Sequence, residues 1–181
     1  MESLRGQLLI ASPVIDDPNF RRTVVLIAEH GDEGAMGVVL NRPSETLVQD
    51  AASPLEVLVE PGSLIFTGGP VEPAAVVVLA EFDDPDEAAT VVVDDVGFMR
   101  SDADPIDAGD RMRRARVFAG YAGWGTGQLE GEIEEEAWFI EPALPDDVFS
   151  EEPERLWSTV LERMGDQYRL LARMPDDPRM N

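Results

Sequence analysis

At 181 residues the chain is long enough to bury roughly 70% of the surface its unfolded form exposes, and short enough for a single core. Its 37 acidic against 14 basic side chains leave a formal net charge of −23, which repels polyanions before contact and argues against direct nucleic-acid binding. The absence of cysteine excludes disulfides, thiolate nucleophiles and cysteine-based zinc or iron–sulfur sites. Every basic residue is an arginine, which removes P-loop, Schiff-base and lysine acid–base chemistry.

No apolar run approaches the ~20 residues needed to cross a bilayer, and nothing in Met1 to Val14 reads as an export signal. The expectation is a cytoplasmic protein with no membrane partner and no cofactor.

In chain order, Leu8–Ala11 and Thr23–Ile27 are apolar or β-branched runs of strand length, separated by the turn-rich segment Ser12–Asn19. His30–Gly34 has the composition of a tight hairpin connection; Ala35–Leu40 resumes the run until Asn41-Arg42-Pro43 stops it. Glu45–Ala52 reads as a short helix. A second strand group is Ser63–Thr67, Ala74–Leu79 and Thr90–Val93, punctuated by Gly68-Gly69-Pro70 and by the acidic loop Asp83–Glu87. Ser101–Asp110 is a loop or short helix, and Ala115–Tyr121 another strand.

Gln128–Glu136 reads as a helix with Leu129 and Ile133 inward and glutamates around the rest. The clearest helix follows Pro153: Leu156, Trp157, Val160, Leu161 and Met164 share one face, and Gly165 is placed to cap it. The tail after Leu171, about 172–181, reads as frayed. Strands clustered ahead of helices predict an α+β fold in one domain spanning residues 1–181.

Chemistry-bearing groups are few. A serine triad needs a histidine base, and His30 is the only histidine; no serine sits in a nucleophile-elbow pattern, and a lone histidine at a strand end more often bonds within a turn. A zinc site would have to combine His30 with carboxylates alone. Asp102, Asp104, Asp107 and Asp110 lack the glycine of a calcium loop and read as a solvated acidic loop. Arg111, Arg113, Arg114 and Arg116 read as charge balance.

The segment Gly120–Glu130 alternates glycines with aromatics between a strand and a helix. It is either a tight crossover plugged by Tyr121 and Trp124, with Thr126 as N-cap, or a binding loop.

Together these segments resemble the YqgE/AlgH family of bacterial proteins. The resemblance rests on Gly6-Gln7-Leu8-Leu9-Ile10-Ala11-Ser12-Pro13, Asp17-Pro18-Asn19-Phe20, Arg22-Thr23-Val24-Val25, and Glu29-His30 with Gly34-Ala35-Met36-Gly37 through Asn41-Arg42-Pro43. It continues through Gly68-Gly69-Pro70-Val71, Gly120–Gly125, Gly127-Gln128-Leu129-Glu130, Glu132 and Trp138, and spans about Gly6 to Met164. Thr126 stands where the family often has proline, and Asp83–Asp110 carries no motif that aligns. The resemblance implies a bifurcated, mainly antiparallel sheet curling into a small barrel with flanking helices. About function it implies little: the family is largely uncharacterised, and control of exopolysaccharide synthesis is attached to some members.

The leading expectation is a non-enzymatic binding or regulatory module, its partner a protein or small ligand, with a candidate surface of His30, Asn41, Arg42, Gly68, Gly69, Trp124, Gln128, Glu130 and Glu132. The first alternative is a hydrolase or transferase using His30 with a carboxylate such as Glu29 or Glu132. The second is a transcriptional regulator acting through protein partners. Arg42, held extended by Pro43, is expected in a salt bridge or presented to an anion.

Overall fold

The computed structural model describes residues 2–176. Among them lie ten strands: β1 (Gln7–Ala11), β2 (Val24–Gly31), β3 (Gly34–Val39), β4 (Pro43–Leu47), β5 (Leu64–Thr67), β6 (Val71–Phe82), β7 (Thr90–Val93), β8 (Val96–Phe98), β9 (Met112–Trp124) and β10 (Trp138–Pro142). The helices are α1 (Val48–Ala51), α2 (Pro105–Gly109), α3 (Gln128–Glu134), α4 (Pro145–Val148), α5 (Leu156–Met164) and α6 (Asp166–Ala172), with short 3-10 turns at Ser53–Leu58, Pro85–Glu87 and Pro153–Arg155. None of the helices is long and apolar enough to cross a membrane.

The strands form one mainly antiparallel sheet in the order β10-β1-β2-β3-β9-β6-β8-β7. The long β9 makes it fork. One edge of β9 is taken by β6; the other is shared by β3, which pairs antiparallel with Ala122–Trp124, and β5, which pairs parallel at Phe118 and Ala119. β4 pairs with β5 beyond the fork. The fold is thus α+β and the sheet bifurcated as expected, but it does not close into a barrel. The end strands β10 and β7 do not pair; the gap is bridged by the turn before β1, where Gly6 O accepts from the Ala143 amide and the Arg5 guanidinium donates to Val91 O.

Burial on both faces explains why the first strands are continuously apolar and not alternating. Leu8, Ile10, Val24, Leu26 and Ala28 face a core completed by Trp157, Val160 and Leu161 of α5, while Leu9, Ala11, Val25 and Ile27 face one completed by Trp124, Leu129 and Trp138. A third cluster, with Val78, Ala80 and Val117, lies under Val48, Leu55 and Leu58.

Two local expectations change. Of Glu45–Ala52 only Val48–Ala51 is helical, because Pro43–Leu47 pairs with β5 instead, held by Ser44 Oγ donating to Ile65 O at 2.5 Å. Pro43 opens that strand, where its missing N–H costs nothing. At the far end Ala172 is buried, and Met174 and Pro175 carbonyls accept from Arg22, whose guanidinium also stacks 4.4 Å from the Trp157 ring. Of the tail expected to fray, residues 177–181 lie outside the described residues.

Candidate functional site

His30 is aimed by a β-bulge. Pairing between β2 and β3 slips at Ala28, so that Ile27 opposes Gly37 and Glu29 opposes Met36, which turns His30 with its partner Ala35 toward α3. There the ring is fully used. Nδ1 accepts from the Leu4 amide at 2.9 Å and Nε2 meets Glu130 Oε1 at 2.6 Å, an arrangement that fixes the neutral Nε2–H tautomer. The His30 side chain is 4% exposed. The ring proton holds the Glu130 carboxyl below its ordinary range. The carboxylate on His30 is therefore Glu130, not Glu29 or Glu132, and Ser3 Oγ donates to the His30 main-chain carbonyl, not to the ring. Among the described residues no three histidine or acidic side chains converge in a way that could hold a metal ion.

Glu132 does a different job. Its Oε1 accepts from both Trp124 Nε1 (3.2 Å) and Trp138 Nε1 (3.1 Å), and its Oε2 accepts from Gln128 Nε2 (3.2 Å). The two indoles meet edge to face at 6.1 Å, with Phe20 packed on both. Trp124 is 7% exposed, a buried plug as the crossover reading expects. Thr126 is not the N-cap of α3; that position is Gly127, at φ +73°, and Gln128 Oε1 instead accepts from the Gly125 amide at 3.0 Å.

Asn41 ties two strands' ends: Oδ1 accepts from Val24 N (3.0 Å) and Nδ2 donates to Arg22 O (2.9 Å). Gly68 and Gly69 cross directly over Gly120 and Tyr121. A Cβ on Gly69, at φ +152°, would fall inside the Tyr121 main chain. Arg42 makes no salt bridge among the described residues. Its guanidinium donates to Pro18 O at 3.1 Å and to Arg21 O, because the Ser12–Arg22 turn presents carbonyls there where a carboxylate was expected. It borders an open cleft of about 500 Å³ with Asn19, Thr67, Gly69, Pro70 and Pro73. Thus His30 and Glu130 pair, Trp124 at the end of β9 forms a second group with Gln128 and Glu132 of α3, and of the candidate residues Arg42 and Gly69 border an open recess. Asn19, Thr67 and Pro73 were not singled out by sequence reasoning, although Asn19 lies in a family motif.

A larger groove, about 720 Å³, lies where β5 diverges from β9 before Phe66. Of Arg111, Arg113, Arg114 and Arg116, the last three line this groove. Sequence reasoning assigned all four to charge balance. That holds for three of the four: Arg111 pairs with Glu87 (2.9 Å), Arg113 with Asp95 (2.7 Å), and Arg114 with Glu81 (3.1 Å) and Asp146 (2.9 Å). Arg116 differs. It lies 4.4 Å over the Phe66 ring and donates only to the carbonyls of Val148 (3.2 Å) and Ser150 (2.9 Å), and burial pulls its pKa below the ordinary guanidinium value.

Compared with known proteins, residues 8–169 match the family described as AlgH-like. A UPF0301 protein of Thermobifida fusca is 41% identical over 99% of this chain and 96% of its own length, and one of Streptomyces coelicolor is 41% identical over 100% and 97%. A crystal structure from Corynebacterium diphtheriae superposes with a TM-score of 0.88 at 29% identity, covering 95% of this chain and 93% of that one. The solution structure of AlgH from Pseudomonas aeruginosa gives 0.72 at 32% identity, covering 97% and 96%.

Proposed function

The chain belongs to the AlgH-like family, and from that premise and its geometry we propose a non-enzymatic binding or regulatory module whose ligand-facing surface is the Arg42 cleft. One observation carries the reading: the versatile motif side chains His30, Asn41, Trp124 and Glu132 are consumed by internal hydrogen bonds, whereas Arg42 borders an open recess with donors to spare. A guanidinium framed by proline and glycine loops suits an anionic or carbonyl-bearing ligand. The formal charge of −23 supports a small ligand or a protein partner over DNA.

The test is complementation of a strain deleted for the gene. Arg42→Ala gives up two hydrogen bonds to carbonyls, about 1 kcal/mol each, so the variant still folds, and it fails to complement. His30→Gln, if folded, complements. The opposite pattern, a silent Arg42→Ala beside a folded and inactive His30→Gln, overturns the reading and returns the His30 chemistry to first place.

A further inference from the structure

The fork in the sheet leaves part of β9 without a neighbour. β6 pairs along one edge, whereas on the other β5 pairs only at Phe118 and Ala119 and β3 only from Ala122. Main-chain groups alternate along a strand, and the Ala119 carbonyl accepts from Gly68 N on the β5 side. By the same alternation Ala115 and Val117 turn their N–H groups toward the unpaired edge, which ends at the bulge that shifts the β6–β9 register between Arg114 and Met112. That edge is the floor of the 720 Å³ groove. One wall is Val57 to Glu60, with Val57 55% exposed; the other is Phe149 to Pro153.

We propose that this groove is a strand-docking site, in which an extended segment of a partner protein adds to β9 along Ala115–Val117 and sets one carboxylate against Arg116. Three observations select that occupant. Unpaired strand edges are templates for main-chain pairing. This edge is recessed between two walls, so a single strand reaches it and a second sheet does not. Arg116 supplies the charge argument: in a chain carrying −23, among the described residues it has no carboxylate within salt-bridge distance, only two carbonyls and an aromatic face. Glu60, Glu151 and Glu154 on the rim repel a run of acids and so limit the segment to one. The inference goes beyond the Arg42 reading and does not depend on it.

The probe is a phage library of random twelve-residue peptides panned on the full chain, with anisotropy for affinity and hydrogen exchange for location. Selected peptides are expected to carry a single Asp or Glu among β-branched residues and to slow exchange of the amides of Ala115 and Val117. Arg116→Gln, which keeps an amide for the Val148 and Ser150 carbonyls, is expected to weaken binding at least about tenfold, as loss of a charge-assisted hydrogen bond does. Ala115→Pro removes one donor on the unpaired edge and leaves the β6 ladder intact, so it is expected to melt near the parent and to bind at least about tenfold more weakly. Should Ala115→Pro not fold, exchange and Arg116→Gln decide. No enrichment, protection elsewhere, or parent-like binding by folded Arg116→Gln overturns the proposal, and complementation by Arg42→Ala bears only on the other cleft.

Discussion

Trp124→Ala separates a folding device from a binding loop. The ring is 7% exposed, packs 6.2 Å from Phe20 and 6.1 Å from Trp138, and donates to Glu132. Truncating such a residue costs about 3–5 kcal/mol, a large part of the roughly 5–15 kcal/mol that holds a domain together. For a chain of this size that is a fall of about 6–20 °C in Tm. Most of the loss is packing: Trp124→Phe keeps the ring contact but drops the N–H, and Glu132 keeps Trp138 and Gln128 as donors, so about 1–2 kcal/mol is expected. Circular-dichroism melts of both variants, beside complementation, read the difference. A Trp124→Ala protein that melts within about 2 °C of the parent yet fails to complement refutes the plug and makes Gly120–Glu130 the functional surface.

Three further outcomes follow from the contacts. Glu130 has its folded pKa below the ordinary 4.5, so between the two values the unfolded chain binds more protons. Its stabilisation is present above about pH 4.5 and lost as pH falls through the folded value, and Glu130→Gln flattens a Tm–pH profile over that acidic window. Gly69→Ala, forced into the Tyr121 main chain, costs more than about 3 kcal/mol, whereas Gly123→Ala, whose Cβ finds its nearest neighbours at 3.8 Å, shifts a melt by less than about 0.5 kcal/mol. Asp147, 4% exposed, accepts two Arg163 hydrogen bonds at 2.8 and 2.9 Å and one from the Leu144 amide at 2.8 Å. Asp147→Ala therefore costs about 3–5 kcal/mol in denaturant titration, and adding Arg163→Met recovers part of it.

Runs with strong local signals were readable from sequence. β1, β2, β3, β5, β7 and α5 fall on the predicted segments to within a few residues, since each is a β-branched run or a one-sided helix with punctuation at both ends. Pro43–Leu47 was misread because its strand character comes from β5, not from its own residues. β8, β10 and α6 were missed: three residues with a central glycine, a strand starting at Trp138, and a helix directly behind Gly165 carry little periodicity. In the candidate surface, whether a residue faces solvent or the interior was not legible. His30 faces α3 because of a bulge, and Arg116 lacks a carboxylate because of where β5 diverges, both decided by partners distant in sequence.

The two-sided burial of β1 to β3 bears on synthesis. These strands are made first, yet their covers come late: His30 meets Glu130 100 residues further on, and the Ala11 carbonyl meets Trp157 Nε1 146 residues further on. At roughly 5–20 residues per second, the first delay is about 5–20 s and the second somewhat longer. For that time the nascent meander shows oil on both sides and an open edge where β9 will lie. Its alternatives are pairing with another nascent chain or shelter by a chaperone, so growth conditions that slow translation past β3 raise the aggregated fraction before they lower the stability of the finished protein.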